Sequence, residues 1–126
     1  MSFDWADYLK LAEALTRDPA SPGPEEASLR TAISRAYYAA YRSASTLAAG
    51  RGEIIPTGLA SDHGLVINHF RNATDPVRQK IGASLSRLRG NRNKADYDDV
   101  FRGQPADTAR SSIALARNIL SGLGSL

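Results

Sequence analysis

Apolar residues recur every three or four positions through five stretches of this chain, and runs rich in proline and glycine separate them. The first stretch runs from about Asp4 to Arg17 and puts Trp5, Tyr8, Leu11, Ala12 and Leu15 on one face. The run Asp18-Pro19-Ala20-Ser21-Pro22-Gly23-Pro24 ends it, because proline offers no amide proton to a helix interior. The second stretch begins near Glu25 and reaches Ala49, with Pro24 suited to its first turn and Gly50 to its stop. Its inward stripe is Leu29, Ile33, Ala36, Ala40, Ala44 and Leu47, and the alanines let a neighbouring helix come close. Residues 51–60 form a loop broken by Gly52, Pro56 and Gly58, with the pair Ile54-Ile55 expected to pack. A third helix is expected from about Ser61 to Asn72. Asp75 caps a fourth that starts at Pro76 and reaches about Tyr97. After a connection from Asp98 to Gln104, Pro105 starts the fifth, with Ala109, Ile113, Ala116 and Leu120 inward and Gly122 and Gly124 at its end. Long amphipathic helices on short connections predict an all-α fold: a single up-down bundle of about five helices, one domain over residues 1–126.

One position breaks the pattern. Val77, Ile81, Leu85 and Leu88 make an apolar stripe on the fourth segment, and Arg92 continues it. Asp96 lies one turn further on and is placed to pair with it. A charge aimed at a core or a partner is costly unless it is paired or used. The pair therefore reads either as a structural ion pair that caps the bundle end or fixes a dimer, or as a phosphate-facing arginine held by Asp96 with Asn93 and Tyr97 beside it.

Composition narrows the chemistry. The absence of cysteine excludes a disulfide framework and thiolate metal sites. Two histidines, His63 and His69, are too few for a His-rich zinc site, and Asp96, Asp98 and Asp99 read as a solvated helix end rather than a magnesium site. No metal site or cofactor is expected. The net charge is +3, and arginine supplies most of the cations, which suits bidentate contact with phosphate or carboxylate. No segment approaches the ~20 apolar residues that span a bilayer. The N-terminal Met1-Ser2-Phe3-Asp4-Trp5 lacks a signal-peptide pattern, so a cytoplasmic location is expected. Phosphate loops, dinucleotide fingerprints and serine nucleophile elbows are absent from the sequence.

Two runs carry a resemblance. Ser34-Arg35-Ala36-Tyr37-Tyr38-Ala39-Ala40-Tyr41 on the second helix and Arg92-Asn93-Lys94-Ala95-Asp96-Tyr97 on the fourth lie about fifty residues apart. In order and helical placement they resemble the HEPN family (higher eukaryotes and prokaryotes nucleotide-binding), most closely its small stand-alone prokaryotic members. The resemblance covers about Leu29 to Leu120. It implies an up-down bundle that forms a homodimer, burying the Arg92 end of the fourth helix. In the RNase members an arginine is followed four to six residues later by a histidine, and the pair cleaves RNA without metal. Here Tyr97 stands where that histidine belongs. Histidine titrates near ~6.5 and tyrosine near ~10, so Tyr97 is a poor general base at neutral pH.

Three expectations follow from that departure. The resemblance implies a non-catalytic or weakly catalytic interaction module. It would work with a minimal nucleotidyltransferase or other effector in a toxin–antitoxin or phage-defence setting, and Tyr97 would be a target for a transferred nucleotide. The alternative enzyme is a metal-independent endoribonuclease using Arg92 with Asp96 or Tyr97. The third is an RNA- or nucleotide-binding module without cleavage that uses Arg92 and Asn93, together with Arg35 and Tyr38. Arg35, Tyr38 and Arg42 share one face of the second helix, extended by Thr31 and away from its main stripe. Tyr37 and Tyr41 read as packing residues, and His63 as a structural hydrogen-bonding group.

Overall fold

A computed structural model describes residues 2–21 and 23–126 and contains five helices: α1 (Asp7–Arg17), α2 (Glu25–Gly50), α3 (Asp62–Arg71), α4 (Pro76–Tyr97) and α5 (Pro105–Gly124). Met1 and Pro22, one of the prolines of the predicted breaker, lie outside the described residues. The all-α bundle is as the periodicity predicts. Among the described residues no helix is long and apolar enough to cross a membrane.

The bundle is organised around α2, which touches all four other helices. Ala32, Ala36, Ala39, Ala40, Ala44 and Ala48 are all completely buried. Methyl side chains on several faces of one rod leave room for α1, α4 and α5 to pack against it closely. The larger side chains Ile33, Leu85, Leu88, Phe70 and Ile119 fill the space between.

Helix ends follow their local chemistry. Asp75 Oδ1 accepts the Val77 amide 3.1 Å away and opens α4. Pro24 stands just outside α2 at the cap position, with an extended backbone, rather than inside the first turn. The 51–60 loop is fastened at both ends. Glu53 takes two hydrogen bonds from Arg78, at 2.8 and 3.1 Å, and meets His69 Nε2 at 2.8 Å. Asp62 accepts from the Thr57 amide and hydroxyl and from the Gly58 amide.

Four inward positions differ from the sequence expectation. Leu9, not Leu11, is the buried leucine of α1. Val77 sits too near the start of α4 to be covered and is exposed. Ile119 is the deeper of the pair Ile119-Leu120. Ile54 packs, while its neighbour Ile55 points outward at 86% exposure. Two successive residues on an irregular strand of loop cannot both face the same wall.

Gly82 marks a close crossing. A Cβ there would lie 2.4 Å from the Arg71 backbone nitrogen and 2.5 Å from its Cγ, so α3 and α4 can meet only over a bare backbone. Gly82→Ala is therefore expected to destabilise the fold by about 1–3 kcal/mol through overpacking. Alanine's better helix propensity returns up to ~1 kcal/mol of that. A thermal melt that rises or stays level for Gly82→Ala would mean that α3 shifts at little cost.

Candidate phosphate-binding groove

Arg92 extends from α4 onto α2, where its guanidinium is almost fully engaged. Nε donates to Asp96 Oδ2 at 2.9 Å, Nη1 to Asn93 Oδ1 at 3.1 Å, and Nη2 to the hydroxyls of Tyr38 at 2.7 Å and Tyr97 at 3.2 Å. It also lies 5.2 Å from the ring centres of both Tyr38 and Tyr97. The Arg92 side chain retains 14% of its exposure and that of Asp96 29%. Burial works against the arginine charge, but the two phenol oxygens and Asp96 outweigh it, and the Arg92 pKa lies above the ordinary arginine value. Arg92 is thus a fixed, permanent cation, oriented by four partners.

The pairing of Arg92 with Asp96 one turn later is the one expected from the stripe. Asp96 has a second partner that sequence spacing does not suggest. Ser34, buried on α2, donates to Asp96 Oδ2 at 3.2 Å and receives a bond from Arg35 Nη2 at 3.3 Å. A polar chain therefore crosses the helix interface from Arg35 through Ser34 and Asp96 to Arg92.

Beside this chain an open groove of about 310 Å³ is lined by Trp5, Tyr8, Arg35, Tyr38, Arg42, Arg92 and Asp96. Its three guanidinium groups face one carboxylate. Each arginine rests on an aromatic ring: Arg35 on Tyr8 at 4.7 Å and on Tyr38 at 5.0 Å, Arg42 on Trp5 at 4.4 Å. Stacking holds the planar groups of Arg35 and Arg42 in place and leaves N–H edges of both available, apart from the Arg35 bond to Ser34. Arg92 adds mainly its fixed charge and its remaining Nη1 proton. Trp5 and Tyr8, expected on one face of a helix from about Asp4, are half-buried walls of this groove; α1 starts at Asp7, so Trp5 sits in the turn before it. The sequence signal that points to them is the face shared by Arg35, Tyr38 and Arg42, which needs a neighbour and finds it in the aromatic end of α1.

The other expected residues divide. Arg35 and Tyr38 line the groove with Arg92. Asn93 and Tyr97 do not line it; both are exposed, Tyr97 at 69%, and each touches Arg92 from outside the wall. Thr31 lies on the exposed side of α2 and bonds its own helix at Ala27. Among the described residues no three imidazole or acidic groups converge as a metal site would require.

The end of α4 that carries Arg92, Asp96 and Tyr97 is itself anchored. Arg30 Nη1 donates to the carbonyl of Asp98 at 2.6 Å and reaches that of Ala95 at 3.4 Å, while its guanidinium packs over Phe101. A cation on the terminal carbonyls of a helix opposes the negative end of its dipole.

His63 stands behind Tyr38, with ring centres 6.0 Å apart, and is not a groove residue. It stacks on Tyr41 at 4.3 Å, and its Nδ1 lies 2.5 Å from the Tyr37 hydroxyl. Burial raises the Tyr37 pKa, so that phenol keeps its proton and shares a hydrogen bond with Nδ1. Burial, with Arg89 and Arg92 nearby, lowers the His63 pKa. His63 is therefore the structural hydrogen-bonding group expected from its place at a helix start.

That shift sets a pH dependence. Below about pH 6.5 the unfolded chain protonates His63 while the folded protein resists, so stability falls as pH drops through this range. Glu53 acts lower. Its bonds to Arg78 and His69 hold it down to about 2, so its contribution is present above about 4.5 and is lost as pH falls toward 2. Melting temperature is expected to decline in two stages on acidification. His63→Gln should flatten the first and spare the second. A His63→Gln profile matching that of the wild type would remove His63 as the cause.

Comparisons with family models, curated proteins and solved structures give no match, so the groove is read from its own geometry.

Proposed function

We propose that this chain is a HEPN-type helical module that binds the phosphate of a nucleotide or of an RNA strand without cutting it. The observation that carries the reading is the oriented Arg92 guanidinium in a groove with Arg35 and Arg42, three cations against one carboxylate. Planar guanidinium forks on aromatic supports suit phosphate oxygens and nucleobases. Absence of cleavage is favoured by the groove's own inventory. Its titratable side chains are arginines, tyrosines and Asp96, and the nearest imidazole serves Tyr37. The resemblance adds a setting: a homodimer acting with a minimal nucleotidyltransferase or other effector, in toxin–antitoxin or phage-defence systems.

The test incubates purified protein with total cellular RNA in the absence of metal, scoring retention on a filter and products on a gel. Retention that weakens with salt, with no products, is expected. Products that disappear in a folded Arg92→Ala variant would replace this reading with an endoribonuclease using Arg92 with Asp96 or Tyr97. Failure to retain RNA or a nucleotide would end it.

A second reading rests on Tyr97, an exposed residue whose hydroxyl is held 3.2 Å from Arg92. In the presence of a nucleotidyltransferase, the phenol oxygen would attack the α-phosphorus of a nucleoside triphosphate. Pyrophosphate would leave, and the phenol proton would pass to solvent. Arg92 is placed to stabilise the phosphate thus attached. Coexpression with such an enzyme should add the mass of a nucleotidyl group to wild type and not to Tyr97→Phe. An unmodified Tyr97 would remove this reading alone.

A further inference from the structure

Trp5 is a shared wall. One side of it belongs to the groove of Arg35, Arg42 and Arg92, and the other to a second open groove of about 420 Å³. That second groove is lined by Phe3, Asp4, Ser43, Thr46, Leu47, Gly50 and Arg51 besides Trp5. Both grooves run along the same outer side of α2. From Arg35 to Thr46 the helix rises about 16 Å, and from Arg35 to Arg42 about 10 Å, farther than one phosphate group can bridge.

We infer that the two grooves form one track for a single-stranded oligonucleotide, with at least two successive phosphates on the arginines and a base against the Trp5–Phe3 pair. This rests on the phosphate-binding reading of the Arg92 groove and extends it to a ligand of defined form. Three features support the extension. Phe3 is half exposed and meets Trp5 edge-on, with ring centres 4.9 Å apart, which makes an apolar step beside the cations. Aromatic side chains can be reached only by unstacked bases, so the track favours a single strand over a duplex. The carboxylates along it are already engaged: Asp96 with Arg92 and Ser34, and Asp4 with the amide of Ala6 at 3.0 Å. A free mononucleotide would fill the Arg92 end only.

Trp5 is the one tryptophan in the chain, so its fluorescence reports on the junction of the two grooves. The experiment titrates the intact protein with uridine monophosphate and with oligouridylates of increasing length. The affinity is expected to rise about tenfold or more between the mononucleotide and the tetranucleotide, and then to level off. Trp5 emission should change with both ligands, and further with the tetranucleotide, which also reaches the Phe3 side of the ring. For two neutralised phosphates, the tetranucleotide affinity should fall with a log–log salt slope of about −1.4. Thr46→Glu, at an exposed helix position, should lower tetranucleotide affinity at least fivefold without unfolding the protein.

Equal affinity for mononucleotide and tetranucleotide, with the same change in Trp5 emission, would overturn the track and leave the Arg92 reading standing. So would unaltered tetranucleotide affinity in Thr46→Glu. Equal binding of duplex RNA, or of oligoglutamate, would overturn the single-strand assignment. No binding of either the mononucleotide or the oligomers would remove both readings together.

Discussion

Arg92→Ala is expected to lower affinity for uridine monophosphate and for single-stranded RNA by about ten- to a hundredfold, in a protein that remains folded. The size follows from what is removed. Hydrogen bonds from a charged donor contribute about 1.5–3 kcal/mol each, net of hydration, and tenfold in affinity is about 1.4 kcal/mol. The cost to the fold is smaller. Asp96 keeps enough exposure to be hydrated and still has Ser34, and the pair itself contributes at most about 1 kcal/mol. Arg92→Lys separates charge from shape. It keeps the cation but loses the fork that reaches Asp96, Asn93, Tyr38 and Tyr97 together, so a smaller loss, of about fivefold, is expected. Calorimetric titration measures the affinities, and far-ultraviolet circular dichroism checks the helices. Wild-type affinity in a folded Arg92→Ala protein would reduce Arg92 to a brace for the end of α4.

The same cluster illustrates which parts of a site a sequence discloses. Arg92 and Asp96 were legible because both lie on one helix, where spacing alone fixes neighbourhood. The stripe of Ile81, Leu85 and Leu88 leading to Arg92 was legible for the same reason, and so was the shared face of Arg35, Tyr38 and Arg42. Contacts between helices were not. Ser34 reaches Asp96 across sixty-two positions of chain, and Tyr38 reaches Arg92 across fifty-four. Both depend on how far α4 is rotated against α2. Rotation and the helix start also explain α1. Periodicity put Trp5, Tyr8 and Leu11 on one face, but α1 starts only at Asp7, so Trp5 lies in the turn before it, and the helix faces inward with Leu9, which leaves Leu11 exposed and Tyr8 at the rim. Both aromatics thereby become groove walls.

The arrangement also explains why the arginine-lined groove forms on this part of the bundle. The outer arc of α2 between Arg35 and Arg42 is flanked by α1 on one side and α4 on the other, and each contributes a different chemistry. The aromatic start of α1 supplies flat apolar supports, and the end of α4 supplies the fixed cation. Arg30 keeps that end in place by taking up carbonyls that the terminated helix would leave unpaired. Loosening Arg30 should therefore weaken binding through the position of Arg92 rather than through loss of a ligand contact.

The largest effect on stability is expected at Tyr37. Its ring is completely buried, stacks with Tyr41 at 5.5 Å, and carries the hydroxyl that engages His63. Tyr37→Ala should cost about 3–5 kcal/mol, the range for deleting a buried aromatic ring, and urea unfolding should move to a much lower midpoint. Tyr37→Phe keeps the ring and removes one bond, leaving Nδ1 of His63 without its partner. A loss of about 1–2 kcal/mol is expected for it. Because the hydroxyl and the imidazole share one interaction, Tyr37→Phe combined with His63→Gln should cost less than the sum of the two single changes. Strict additivity would mean that the bond contributes nothing beyond packing. The phosphate affinity of a folded Tyr37→Phe protein should stay near that of the wild type, since Tyr37 faces the core and Tyr38, one residue on, faces Arg92. A parallel loss of binding would instead show that the orientation of Tyr38 depends on the buried stack behind it.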